Sequence, residues 1–400
     1  MDKTIPNAPL KELFRSKIEF LDGIRGLMAF CVIITHFVVI YLPQMYFRSF
    51  AESSEGFLSL FASTPLSVFV NGNPAVQYFF ILTGFLVGRS FFLKEHRPGQ
   101  LLEKSFQRYT RLLPLVAITT FFTWLTMKLG LQYHLRIAQE TLNPEYLSAY
   151  CNFEPSLKSL LINAFIYPFI RYSEYVGPFW TIRYEFFGYI ISMAVCYVCK
   201  ESRWRKCAYA VVALLLFSQL SANYIGFILG VFIADLIFYD RPDILEPFYR
   251  SWIHSKAAVA LILLVGLYFT CCPMYFATIY AFFERIPKIT PEILHTLGIA
   301  MVLYSILHMP KVQQFFAHPF FLFLGKLSFP VYAFHWPIML TVEAWLFSLL
   351  IRELPYYAAA VLAFLITIPV IYGFSWLIHL LLESKLWRKL FSRKAVSTKM

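Results

Sequence analysis

Ten apolar stretches divide the chain, at 24–43, 75–93, 110–130, 179–199, 206–222, 223–239, 256–272, 292–309, 326–350 and 355–382. Each is close to the ~20 residues an α-helix needs to cross a bilayer. A spanning β-strand would need only ~10 residues with strict alternation, which these stretches lack. Composition points the same way: 59% of residues are hydrophobic, 14% are charged and the mean hydropathy is +0.61. A soluble fold has too little interior to hide that much apolar surface, so lipid must solvate most of it. The fold class expected is an all-α polytopic membrane protein of about ten transmembrane helices.

The basic residues give the orientation. Lys3, Lys11, Arg15 and Lys17 precede the first span, and every second loop after it is enriched again, through Lys104, Arg108, Arg205, Lys206, Arg241 and Lys326 to the tail. Counted this way, 22 lysines and arginines fall on one side and seven on the other. Cytoplasmic loops carry this excess, so both termini are expected in the cytoplasm, as an even number of spans requires. The formal charge of +12 therefore reads as a topology signal facing anionic lipid rather than as a nucleic-acid surface. Residues 1–19 show no cleavable-signal pattern, so the first span is expected to stay in the mature chain. One membrane domain, 1–382, is expected, followed by a basic cytoplasmic tail, 383–400. The segment 131–178, rich in aromatic and polar residues, is the expected outer cap, and within it 160–172 is a short interfacial or re-entrant piece broken by Pro168. Of the seven cysteines, Cys196 and Cys199 form a CxxC at the end of an apolar helix, which reads as a pair of small buried hydrophobes.

Ionisable groups inside spans cost at least ~2.5–3.5 kcal/mol each near the centre, which makes them functional residues by default. Arg25 and His36 are eleven residues apart, close to three turns, and so share a helix face, with His36 ~16 Å further in. His335 lies at similar depth in FPVYAFHWPIML, where Pro337 weakens the local backbone bonding and permits a kink. Glu185 lies in the outer third of its span beside Arg183, but residues two apart do not face each other on a helix. It reads equally as an acceptor-binding group or a structural partner. Arg108 and Arg111 stand at i and i+3 at the cytoplasmic start of the third span, and arginine forks suit phosphate oxygens. Gly84 and Gly88 have the small-xxx-small spacing of close helix contact. Asp235, His308 and His379 fall near inner ends of spans, within reach of water, and take no role. No metal-ligand spacing, nucleotide loop or hydrolase motif is present.

Five segments, in order, resemble the acyltransferase-3 family of integral-membrane O-acyltransferases: LDGIRG with His36, YFFILTGFLVG, RYTRLLP, WTIRYEFFGY and SFPVYAFHWPIML. Thr83 stands where serine is usual, Arg183 is an added charge, and Phe186 replaces a second acidic residue. The resemblance implies an acyl-CoA donor, most often acetyl-CoA, arriving from the cytoplasm, with no bound cofactor or metal. It further implies a hydroxyl acceptor on a polysaccharide, lipopolysaccharide or other glycolipid at the outer face of the cell (inner or plasma) membrane. By the same resemblance Arg25, Arg108 and Arg111 would take the donor phosphates. His36 would be general base or acyl relay, and Glu185 and His335 would orient acceptor or base. The alternative is a secondary transporter of an organic anion that uses the same arginines and histidine. The internal repeat expected of such a transporter is not visible.

Overall fold

The computed structural model describes residues 18–54, 56–97, 99–219, 221–239 and 241–383, and every regular element among them is helical. In lipid this is obligatory for an open chain, since each backbone N–H and C=O must find a partner within its own segment. Helices occupy all ten predicted stretches: α1 (Glu19–Tyr41), α2 (Asn73–Leu93), α3 (Gln100–Lys128), α4 (Trp180–Cys199), α5 (Arg205–Gln219), α6 (Ile225–Phe238), α7 (Lys256–Thr270) and α8 (Pro291–Ile306). α9 (Pro319–Ile338) continues through one π turn (Met339–Glu343) into α10 (Ala344–Leu350), and α11 (Tyr356–Glu383) follows. Prolines at or next to the first residue of α2, α8 and α9 (Pro74, Pro291 and Pro319) remove N–H groups that would otherwise lack a helical partner.

By length and apolarity, six of these segments can cross a membrane: α1, α2, α3, Gly177–Cys199, Pro319–Leu350 and α11. A seventh is added if α8 and Pro310–Phe316, bent by 102°, form one broken span. α5, α6 and α7, of 15, 14 and 15 residues, are shorter than the spans expected there. α1 and α3 begin well before their apolar edges, which moves the charged motifs inside the helices. The cations expected before the first span and the tail from residue 384 lie outside the described residues. Within 131–178 the chain forms short helices, among them Tyr133–Ile137, Leu157–Phe165 and Tyr167–Ile170, with Pro168 at the break as expected. Cys196 and Cys199 are buried in α4.

The chain divides into two compact units, one running to Ser105 and resuming over Trp180–Gly325, the other Phe106–Phe179 with Lys326 onward. In the first, α2 packs against α1, α4, α6 and α8, most extensively against α6. The α2–α6 crossing depends on two glycines. A Cβ on Gly84 would lie 2.0 Å from the Phe227 carbonyl oxygen, and one on Gly230 would lie 2.1 Å from that of Ile81. Close backbone approach brings more atoms into dispersion contact, the main source of helix association where no water is expelled. Phe80 stacks on Phe227 beside this crossing, their rings 5.0 Å apart. In the second unit, Phe122 of α3, Phe334 of α9 and Phe374 of α11 form an aromatic cluster.

Candidate active site

The predicted site residues are divided between the units: Arg25, His36 and Glu185 in the first, Arg108, Arg111 and His335 in the second. Arg25 and His36 share the uninterrupted α1, so the common face and the ~16 Å separation follow from helix geometry. Because α1 starts at Glu19, Arg25 stands more than a turn inside the helix. His36, half-buried, lies past its middle, five residues from Tyr41. The glycines of LDGIRG bring a second backbone against this helix. A Cβ on Gly26 would meet the Gly325 nitrogen at 2.5 Å, and one on Gly325 would meet the Asp22 carbonyl oxygen at 2.2 Å. That contact lets Arg25 Nη2 donate to the Gly325 carbonyl at 2.9 Å while pairing with Asp22 Oδ1 at 3.2 Å. The guanidinium is thereby oriented, with its side chain 32% exposed. Further along α1, the Thr35 hydroxyl reaches the Cys31 and Val70 carbonyls, both at 2.9 Å, and ties this end of the helix to the turn before α2.

Glu185, the sixth residue of α4, meets α2. The Thr83 hydroxyl lies 3.0 and 3.3 Å from its two carboxylate oxygens. Arg183 turns to Tyr184, donating to its hydroxyl at 2.9 Å with the guanidinium 4.7 Å over the ring. The two charges of WTIRYEFFGY thus have separate partners, as a spacing of two requires. Beside them Gln77 Nε2 donates to Asn223 Oδ1 at 2.9 Å, a polar contact between apolar helices that sequence reasoning missed.

In the second unit, Arg108 and Arg111 lie eight and eleven residues inside α3, the first half-buried and the second exposed. His335 is fully buried in α9. Its Nδ1 lies 2.7 Å from the Tyr332 carbonyl and 3.2 Å from that of Val331. A carbonyl only accepts, so the neutral ring carries its proton on Nδ1 and its lone pair on Nε2. Instead of breaking after Pro337, the helix passes into the π turn, where the Thr341 hydroxyl bonds back to the Pro337 carbonyl at 2.8 Å. The segment 131–178 covers this region within its own unit. The Tyr332 hydroxyl donates to the Pro178 carbonyl, and Tyr150 packs edge-on to Trp336 at 4.7 Å. His134 places its ring nitrogens 3.3 Å from the Leu340 carbonyl and 2.9 Å from that of Tyr150. Burial pushes the His134 imidazole below its usual range despite these two acceptors. The most conspicuous omission of the sequence reading is Glu343 at the end of the π turn, fully buried. The criterion that singled out His36, an ionisable residue inside an apolar span, applies to it equally.

One sequence inference is corrected. Asp235, expected near water, is buried against Arg205 Nε at 2.7 Å and the Tyr209 hydroxyl at 3.0 Å. Lys206 pairs with Asp243 at 2.8 Å, and Arg205 reaches the same carboxylate at 3.4 Å. Two cations counted as topology signals are therefore interior ion partners that fasten α5 to α6 and to the loop after it. His308, also near an inner end, accepts or donates at 2.9 Å with His254.

Compared with known proteins, the chain matches the acyltransferase-3 family model, described as an acyltransferase domain, over residues 18–380. No curated protein and no solved structure matches it.

Proposed function

The chain belongs to the acyltransferase-3 family, matched over nearly its whole length, and from that premise we propose that it is a membrane-embedded O-acyltransferase using cytoplasmic acyl-CoA. The acyl group is acetyl in the simplest case. The acceptor is a hydroxyl of a carbohydrate or lipid-linked glycan, such as a polysaccharide or lipopolysaccharide, at the outer face of the cell membrane. In this reading the ten helical segments cross or enter the bilayer and both termini face the cytoplasm. The observation that carries it is the pairing of Arg25 and His36 on one face of an unbroken α1 in a chain of this family. An oriented guanidinium suits the donor's phosphate oxygens, and Arg108 and Arg111 add cationic groups for the same purpose. The ~16 Å between Arg25 and His36 is a length that a thin pantetheine arm covers.

The chemistry needs one base. His36 takes the proton of the acceptor hydroxyl as its oxygen attacks the thioester carbonyl; the C–O bond forms, the C–S bond breaks, and the proton passes to the departing thiolate. As a relay, His36 would instead attack the thioester with its ring nitrogen, releasing the CoA thiol as the C–S bond breaks; the acceptor hydroxyl then takes the acyl group as the C–N bond breaks, and its proton returns to the ring. Glu185, held by Thr83, and His335, with Nε2 as its basic nitrogen, orient the acceptor. The test uses purified protein in lipid with labelled acetyl-CoA and a glycan extract. General base catalysis contributes about 10²–10⁴-fold, so His36→Ala is expected to lose at least 100-fold in label transfer while remaining folded. Unchanged transfer by His36→Ala would overturn the reading, and label-independent passage of an anion across vesicles would favour the transporter.

A further inference from the structure

The five residues Met339–Glu343 carry two costs at once. Glu343 is fully buried, and neither carboxyl oxygen has a hydrogen-bond partner among the described residues. Burying a carboxyl without compensation costs several kcal/mol in proteins. The backbone at the same place is a π turn, a rare element that is frequent at functional sites. Its hydrogen bonds reach one residue further than those of an α-helix, so it resets the phase of everything after it.

That phase shift has a definite effect. Eight residues separate His335 from Glu343, which on a regular α-helix would leave the two about 80° apart. The extra residue in the π turn takes back about 100°, bringing Glu343 to within about 20° of the His335 direction. The turn thus holds an unpartnered carboxyl on the face of the buried histidine, roughly two turns nearer the end of the helical segment at Leu350. The helix Tyr133–Ile137 and α11 pack on the turn. His134 reaches the Leu340 carbonyl within it, and through the Tyr150 carbonyl links it to the Tyr150–Trp336 aromatic pair. A carboxyl buried without a protein partner, beneath the segment that carries His134 and Tyr150, suits a ligand that supplies hydroxyl groups.

We propose that Glu343 is a specificity-determining residue that binds a hydroxyl of the acceptor other than the one acylated, and so selects acceptors with several hydroxyls over simple alcohols. This rests on the acyltransferase reading above. It is tested with the full chain in lipid, labelled acetyl-CoA, and two probe acceptors, methyl α-D-glucopyranoside and 1-octanol. A hydrogen bond whose loss leaves a buried polar group unpaired is worth about tenfold in specificity. Glu343→Leu is therefore expected to lower the glucoside-to-octanol ratio of kcat/KM at least about tenfold, leave the KM for acetyl-CoA unchanged, and melt no lower than wild type. A merely structural carboxyl would alter the melting temperature and not this ratio. An unchanged ratio overturns the proposal, and Glu343→Met serves if the leucine variant does not fold. If wild type acylates neither probe, the acyltransferase reading fails, and the Glu343 site is read by itself with dicyclohexylcarbodiimide. Protection of Glu343 from labelling by the glucoside upholds the binding site; equal labelling with and without it overturns it.

Discussion

Replacing Gly84 by alanine tests the α2–α6 crossing, next to the Thr83–Glu185 contact. The added Cβ would lie 2.0 Å from the Phe227 carbonyl oxygen and 2.7 Å from its carbon, whereas ordinary contact begins near 3.4 Å. The obstacle is backbone, so no side chain can swing aside, and the helices must separate by about 1.4 Å. Overpacking costs about 1–3 kcal/mol where side chains adjust, with backbone shifts at the upper end. Against this, alanine is favoured over glycine inside a helix by about 0.5–1 kcal/mol. The net expectation is a loss of about 1–2 kcal/mol, or a few degrees in the midpoint of thermal unfolding followed by tryptophan fluorescence in detergent. Gly373→Ala in α11 is the internal control. Nothing lies within 4 Å of its Cβ, so only the helix-propensity gain applies and the midpoint should rise slightly. Acyl transfer should fall further than stability in Gly84→Ala. Thr83 is the adjacent residue, so a displacement of α2 is expected to disturb its 3.0 Å bond to Glu185. A Gly84→Ala variant melting at or above wild type would refute the crossing.

Two further outcomes are expected. Thr83→Val removes the hydroxyl on Glu185 and should cost roughly tenfold or more in transfer, from a hydrogen bond to a charged group of about 1.5–3 kcal/mol; Thr83→Ser should restore most of it, and equal rates for valine and serine would argue against the contact. For Asp243, burial raises the carboxyl pKa, but hydrogen bonds from Lys206 and Tyr249 and the Lys206 charge outweigh it and hold the carboxyl below its usual range. A carboxyl depressed in the folded state contributes stability above its unfolded pKa of about 3.9 and loses it as pH falls through the folded value. Unfolding midpoints should therefore drop below about pH 4, less steeply in Asp243→Asn; identical profiles would place the acid sensitivity elsewhere.

The helices were legible because lipid leaves an apolar run almost no other option. Their starts were not: α3 takes in Gln100–Tyr109, whose polar side chains look like loop when only hydropathy is read. The Arg25–His36 face was visible, being a property of one helix. The Thr83–Glu185 bond joins residues 102 apart and the Arg205–Asp235 pair residues 30 apart. Nothing in a single sequence distinguishes those polar groups from others equally placed. The π turn was hidden for a different reason, since an α-helix and a π turn share the same local residue preferences and packing decides between them. Glu343 lies inside an apolar span and is legible by the same criterion as His36, but the motif His335-Trp336-Pro337 eight residues earlier carries the stronger local signal.

The ion cluster around Arg205 and Lys206 has a consequence for how the chain is made. Both cations leave the ribosome before either of their acidic partners, Arg205 thirty residues ahead of Asp235. In the topology proposed above, they are bare positive charges while the orientation of α5 is being decided. Once Asp235 and Asp243 arrive, the same residues become neutralised and enclosed. On that proposal they serve twice in succession, first as a signpost for insertion and then as a clasp between α5 and the segment after α6.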